Sequence, residues 1–488
     1  MNSAVAVPSA KGRWTWAIWA GVAVLAVALT GLTARMPIRE LALYSCGAVG
    51  LAAVFVLGLR NPAAAVALFF AYMSVDGMLR LLTGYHPLVH LALDLFTIAV
   101  TAGVAVRESL RGELRVRLGT VETLLVGFSL LCVVGVFNPS TRPLLGLMGV
   151  KVHLTAVPFY FLGYYLRRSQ EADRRWFALF CCLGTFVCSF ALIQYLTGPD
   201  LWTSMGPAFA EKISREQWWD DTGELHFRPL SSTLSGSWPG VYAGVSLPLL
   251  MGLFGLASLR AQMPLLWGVA VVQTASLLIS AFRGGWVALA GGLALFCLLR
   301  RSARSTAVLV GVALGCLVGV ALSQGGLKDR ARSLGNPVST YMNERGHTAW
   351  SIFVRSVTRS PLGLGTGTSS VAAEYFESAG DSGASVWLAE SYYVSLAVEL
   401  GIVGLTVMLL CLGTIFWRGI RALGATRTGE ERGMVASMLS MLSTLATIGL
   451  VGPVLHGSFP AAYFWFVSGM LMRRASNLTR VEASASHG

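Results

Sequence analysis

Charge is scarce in this chain. Asp, Glu, Lys and Arg together supply 12% of its 488 residues, whereas hydrophobic types supply 55%, and mean hydropathy is +0.64. A chain so poor in charge cannot clothe a water-facing surface, which excludes the soluble multi-domain protein its length would otherwise suggest. Acidic residues are scarcer than basic ones, 24 against 37, and leave a net charge of +13. Arginine far outnumbers lysine. In a membrane protein such basicity first means anchoring of cytoplasmic loops. The arginines are scattered between apolar runs and form no patch, so no nucleic-acid partner is expected. Cysteine is missing where it would matter. All eight (Cys46, Cys132, Cys181, Cys182, Cys188, Cys297, Cys316, Cys411) lie in or beside apolar runs, and neither long hydrophilic segment holds one. Neither a disulfide nor a thiolate metal site is therefore expected.

What the chain has is apolar runs long enough to cross a bilayer as helices. They lie near 14–33, 41–59, 62–79, 88–106, 119–137, 150–166, 176–197, 238–258, 264–281, 285–299, 306–322, 388–416, 434–452 and 456–472. The fold expected is an all-α polytopic membrane protein of about fourteen (12–14) transmembrane helices. Lys11 and Arg13 precede the first run as in a signal peptide, but the run is too long and no small-x-small site follows it; it reads as an uncleaved span. Arginine placement orients the map. With the N-terminus inside, the strongly basic connections (Arg107/Arg111/Arg115/Arg117, Arg167/Arg168/Arg174/Arg175, Arg300/Arg301/Arg304, Arg418/Arg421/Arg427/Arg432, Arg473/Arg474/Arg480) all fall on the cytoplasmic side, as the positive-inside rule requires. Both termini are then cytoplasmic.

Two long segments remain outside and divide the chain: helices over 1–197, a first periplasm-side loop over 198–237, central helices over 238–322, a second loop over 323–387, and C-terminal helices with a tail over 388–488. The first loop is aromatic and acidic at its centre (Glu216, Trp218, Trp219, Asp220, Asp221). In the second, Trp350, Phe353, Val354 and Val357 recur at helical spacing with Arg355 and Arg359 on another face. Such a helix either lies on the bilayer surface or packs on the bundle.

Charged residues gather at the outer helix ends. Arg228 precedes the eighth run, Arg283 interrupts Ser280-Ala281-Phe282-Arg283-Gly284-Gly285-Trp286, and Glu390 opens the twelfth. A charge at interfacial depth is costly unless paired or solvated, so each is a functional candidate. The competing roles are a snorkelling anchor for Arg283 and a macrodipole partner for Glu390. Guanidinium forks bind phosphate oxygens bidentately, and a nearby carboxylate can take the proton of an attacking hydroxyl. Together these groups suit transfer of a sugar from a lipid pyrophosphate. Other features point less sharply. Gly363-Leu364-Gly365-Thr366-Gly367 looks phosphate-cradling but has no strand-to-helix context, so a loop turn is the better reading. His86 and His90 have metal-ligand spacing without a third ligand, and capping fits them better. Lys151 and His153 suit either a phosphate or anchoring. Asp94 lies within a span and invites a partner on a neighbouring helix.

At these residues the sequence resembles the O-antigen ligase/polymerase superfamily, the Wzy- and WaaL-type membrane glycosyltransferases. Three blocks carry the likeness: Arg228-Pro229-Leu230-Ser231-Ser232-Thr233-Leu234-Ser235; the Arg283 element, similar to the family's Ser-x-Ser-Arg-Gly-Gly; and a long block. The last comprises Arg345 to Trp350, Ser360-Pro361-Leu362-Gly363-Leu364-Gly365, Glu390-Ser391-Tyr392-Tyr393 and Glu399-Leu400-Gly401-Ile402-Val403-Gly404-Leu405. The resemblance covers about 226–410 and implies a GT-C-type helical bundle with a periplasmic cavity. It also implies an undecaprenyl-pyrophosphate-linked glycan as substrate, used without metal, cofactor or nucleotide sugar. Arg228, Arg283 and Arg345 would correspond to the family's arginines, Glu390 or alternatively His347 would be the base, and Lys151, Tyr392 and Tyr393 would be glycan or pyrophosphate contacts. Ligases of the family look to have His-Asn where this chain has Glu390-Ser391, which favours a polymerase. The expectation is thus an inner-membrane polysaccharide polymerase with its active site facing the periplasm; chain-length regulator and flippase proteins are candidate partners. A ligase is the nearest alternative. A lipid-glycan flippase or transporter is a rival of another class, although transporters usually place ionisable groups near the midplane.

Overall fold

The computed structural model describes residues 38–112, 119–166, 169–219, 225–301, 306–307, 310–311, 313, 347–369, 373, 391–457 and 459–485. The expected first and eleventh spans lie mostly or wholly outside them. The chain divides into two compact units, Met1–Val54 and Phe55–Gly488. What is described of the first is the opening of helix α1 (Ile38–Arg60).

The second unit is a bundle of α2 (Pro62–Met73), α3 (Asp76–Leu82), α4 (Pro87–Leu110), α5 (Thr120–Gly135), α6 (Pro143–Leu154), α7 (Pro158–Tyr165), α8 (Gln170–Thr197), the short α9 (Pro199–Thr203) and α10 (Pro207–Arg215). After the first long loop follow α11 (Trp238–Phe254), α12 (Met263–Ile279), α13 (Arg283–Arg300), α14 (His347–Arg359), α15 (Tyr392–Gly424), α16 (Gly429–Ile448) and α17 (Phe459–Ala485). Among the described residues, six helical segments are long and apolar enough to cross a membrane, or seven if the bent pair α2–α3 is one span, and α1, α5 and α11 are shorter apolar helices. The chain is an all-α multi-pass membrane protein.

Local sequence marks the helix starts. Proline stands at the first helical position of α2, α4, α6, α7, α9 and α10, where its missing N–H costs nothing and its fixed φ fits. Asn61, Ser169 and Thr428 accept the amides of Ala64, Ala172 and Glu431 at 3.2, 3.2 and 3.1 Å as side-chain caps. Aromatic packing holds the centre: Phe69 and Phe70 of α2 meet Phe159 of α7, and Phe70 also meets Phe180 of α8 and Tyr463 and Phe466 of α17. Helices α7 and α17 approach so closely that a Cβ on Gly163 would strike the carbonyl of Phe466, and one on Gly469 that of Tyr160. Backbone proximity of this kind is the main source of helix affinity in lipid.

The expected third span is in fact two helices. α2 and α3 meet at a 51° bend, and the polar block after the first loop fills the break. Met78 donates its amide to the Ser232 carbonyl at 3.0 Å, Ser232 Oγ donates to the Ser74 carbonyl at 2.5 Å, and Gly77 lies against the Thr233 backbone, where no side chain fits. Helix α15 is broken too, at Gly401 (φ 66°, ψ −168°). There Leu364 and Gly365 donate their amides to the carbonyls of Val398 and Glu399 at 2.8 and 3.0 Å, and Ile402 donates to Pro361 at 3.0 Å. Irregular backbone at membrane depth is tolerated only where protein satisfies it, and both breaks meet that condition. The expected sixth span begins earlier than its hydropathy suggests and is also two segments, α6 and α7, with Pro158 starting the second.

The helices run between two ends. At one, Arg474 pairs with Asp173 at 2.6 Å, Arg174 with Glu430 at 2.7 Å, Arg432 donates to the Leu299 carbonyl at 2.9 Å and Arg418 to Thr120 at 3.2 Å. At the other lie the start of α11, the starts of α13 and α15, and the end of α16. The strongly basic connections therefore share one end, opposite the Arg228 and Arg283 motifs.

Candidate active site

Arg228 is held by the first loop. Its Nη1 lies 3.9 Å from Glu216 Oε2, which also accepts the Gly236 amide at 3.1 Å, while Lys212 Nζ lies 3.4 Å from Oε1 of the same carboxylate. The arginine stem packs on Gly236, where a Cβ would collide with it. A two-stranded antiparallel hairpin, β1 (Trp218–Trp219) with β2 (Leu225–His226), stands just before it. Ser231, with φ 60°, is pinned by Gln194, whose amide oxygen accepts the Ser231 N–H at 2.6 Å while its nitrogen donates to the Ser231 carbonyl at 3.2 Å. A non-glycine residue in the left-handed region is strained and persists only where its surroundings fix it.

Arg283 is the first residue of α13. The turn before it contains a second strained residue, Ala281 (φ 49°). Trp286 Nε1 donates back to the Leu277 carbonyl at 2.8 Å and closes the turn between α12 and α13. This turn meets the opening of α11: a Cβ on Gly240 would lie 2.7 Å from Ser280 Oγ. Gly236, which carries the Arg228 stem, is one helical turn away along the chain. The two arginine motifs thus flank the N-terminal end of one helix. Gly284 faces Val451, beyond the end of α16, and the same connection receives the start of α15: Tyr392 N–H donates to the Gly449 carbonyl at 2.9 Å and Ser391 Oγ at 3.3 Å.

Other expected site residues fall as follows. Tyr392 is buried and its ring meets that of His456, centroids 4.9 Å apart; Tyr393 donates its hydroxyl to the Ala446 carbonyl at 3.0 Å. Both have partners inside the bundle. Lys151 pairs with Asp94 at 2.6 Å, which supplies the neighbouring-helix partner that Asp94 invited. His86 caps α4 by accepting the Leu88 amide at 3.3 Å, and His90 lies 3.3 Å from Arg80, itself paired with Asp76 at 2.7 Å. His347 is exposed at the start of α14. That helix packs on α15 through Ser356, which donates to the Ala397 carbonyl at 3.2 Å, and leaves Trp350 and Val354 exposed. Glu390 and Arg345 lie outside the described residues. Among the described residues no group of three His, Cys, Asp or Glu could hold a metal.

Glu399 has a role the sequence reading did not assign. It is wholly buried, and its carboxylate accepts three hydrogen bonds: from Gly367 N–H at 2.8 Å, from Ser369 N–H at 3.0 Å, and from His153 Nε2 at 2.7 Å. Each bond to a charged acceptor contributes about 1.5–3 kcal/mol. The glycine-rich loop does cradle an anion, but an internal one. His153 lies against His456, centroids 4.9 Å apart. His456 stands in the connection between α16 and α17. Burial, and then the neighbouring His153, push its pKa well below the usual histidine range. The sequence signal for this centre was a lone carboxylate in Leu396-Ala397-Val398-Glu399-Leu400.

No curated protein matches the chain. Residues 268–409 match the family model described as O-Antigen ligase. The matched stretch contains Arg283, helix α14, the loop at Gly363–Gly367, Ser391 and Glu399, and Arg228 lies N-terminal to it. The chain is therefore a multi-pass membrane protein whose residues 268–409 match the O-antigen ligase family.

Proposed function

We propose that the protein is a polysaccharide polymerase of the bacterial inner membrane, acting on its periplasmic side. It transfers glycan from an undecaprenyl-pyrophosphate carrier to a hydroxyl of an acceptor lipid-linked glycan. The hydroxyl oxygen attacks the anomeric carbon, the bond from that carbon to the pyrophosphate oxygen breaks, and Glu390 takes the hydroxyl proton. Arg228, Arg283 and Arg345 neutralise the departing pyrophosphate, where preorganised cations contribute most. His347 is the alternative base, and Lys151 lies among the groups able to meet an acceptor or lipid phosphate. The observation that carries this reading is the convergence of the Arg228 and Arg283 motifs at the start of α11, on the end of the bundle away from the basic connections.

The match to the O-antigen ligase family favours a second reading, ligation of finished glycan onto lipid A core or protein. Lipid-linked glycan profiling separates them. Under the polymerase reading, Arg283→Ala and Glu390→Gln leave protein level intact and cells accumulate single carrier-linked repeat units. Accumulation of long carrier-linked chains assigns a ligase instead. Normal polymer in both variants overturns glycan transfer altogether.

A further inference from the structure

Helix α15 is divided by Gly401, and its first part, Tyr392–Leu400, is tied on every side. Ser391 and Tyr392 bind Gly449 at the end of α16, Ser395 Oγ donates to the Ser369 carbonyl at 3.0 Å, Ala397 receives Ser356 of α14, and Glu399 gathers Gly367, Ser369 and His153. Residues 361–369, which lead back from α14 into the second long loop, also bind α5 and the turn after it. Thr366 Oγ1 donates to the Cys132 carbonyl at 2.7 Å, Thr141 Oγ1 to Leu364 at 2.7 Å and Asn138 Nδ2 to Gly363 at 3.2 Å. Gly149 of α6 leaves room for Gly367, and a Cβ there would meet its backbone.

We propose that Glu399 is the positioning residue of the transfer site. Its carboxylate locks residues 363–369 onto α6 and onto the first part of α15, and so fixes Ser391–Tyr392 relative to the Arg283 turn. This rests on the glycan-transfer reading for its functional half only. The chemistry of the seat is specific. Two amide N–H groups and an imidazole converge on one carboxylate in a site without solvent, and such a site accepts a carboxylate far better than an amide. A glutamine at this position presents one oxygen and one NH2 group. In either orientation its NH2 faces one of the two backbone donors, so one of them is left unmatched.

The test uses full-length purified protein in detergent and cells that carry only the variant. In Glu399→Gln, amide hydrogen exchange in the peptide containing Gly367 and Ser369 should accelerate at least tenfold, with protein amount near wild type. Polymer should fall at least tenfold. A covalent pin restores function if the effect is local: S369C/S395C in the E399Q background should regain polymer when oxidised and lose it again on reduction, at constant protein amount. A folding defect would not reverse in this way. If E399Q fails to accumulate, His153→Leu, which removes one bond and leaves the two amides in place, should show the same two effects more weakly. Accelerated exchange with unchanged polymer, while R283A abolishes polymer, overturns the positioning role and keeps the transfer reading. Unchanged exchange overturns the lock itself. Normal polymer in R283A overturns the transfer reading, and the exchange result then stands alone as the test of the lock.

Discussion

At the scale of single residues, the buried His456 ring links stability to pH. Neither of its nitrogens has a hydrogen-bond partner among the described residues, and its pKa is pushed down by burial and by His153. It is neutral in the folded protein. Once pH falls below the unfolded histidine value of about 6.5, the unfolded chain takes up a proton that the folded chain refuses. Stability from this group is therefore complete above that value and lost below it, by up to about 1.4 kcal/mol per pH unit. The melting temperature of the detergent-solubilised protein should drop between pH 6.5 and 5, and His456→Asn should flatten that slope. An equal slope in the variant would show that another group governs it. Residue by residue, legibility was uneven. The arginine motifs announced themselves as charges beside glycine, proline and apolar runs. Glu399 stood equally exposed to notice in an apolar helix, yet its role depends on His153, 246 residues away in sequence, and on two backbone amides that carry no side-chain signal.

At the scale of elements, apolar runs foretell helices because lipid leaves the backbone no other partner. They do not foretell where a helix breaks. Hydropathy averaged over a span is blind to the bend between α2 and α3 and to the turn at Gly401, since each stretch stays apolar on average although Asp76 and Glu399 stand at the breaks. The short β1–β2 hairpin was hidden too, because two residues per strand show no alternation. Gly401 is the sharpest element-level test. Its backbone conformation, essentially reserved for glycine, disfavours any side chain by about 1–3 kcal/mol, and a Cβ would collide with the Pro361 carbonyl and lie 2.5 Å from the carbonyl carbon of Leu362. Gly401→Ala should lower the melting temperature and the accumulated protein, whereas alanine at Gly413, which has open space around it, should be neutral. Equal behaviour of the two would mean that the loop does not fill the break.

At the scale of the whole molecule, the two ends of the bundle differ in chemistry. One gathers Arg174, Arg418, Arg432 and Arg474 with their acidic and carbonyl partners; the other gathers the Arg228 and Arg283 motifs and the start of α15. The same division follows from counting arginines between apolar runs, and the all-helical, multi-pass character was the most legible property of the molecule. Its orientation is open to direct measurement. With Cys46 and Cys182, both exposed, replaced by serine, an impermeant maleimide should label Arg359→Cys in intact cells. Arg175→Cys should be labelled only after the membrane is opened. The reverse pattern would put the arginine motifs on the cytoplasmic face and remove the lipid-pyrophosphate reading with them.

The ties along the first part of α15 fall at Ser391, Ser395 and Glu399, a spacing of four that keeps all three on one face of the helix. Rotational phase is thereby built into the count of residues. One residue inserted or deleted between Tyr392 and Leu400 would swing the remaining ties by about 100° around the axis, so that either the carboxylate or the serine would miss its target. Sequences sharing this machinery should vary freely at the other positions of that stretch before they vary in its length.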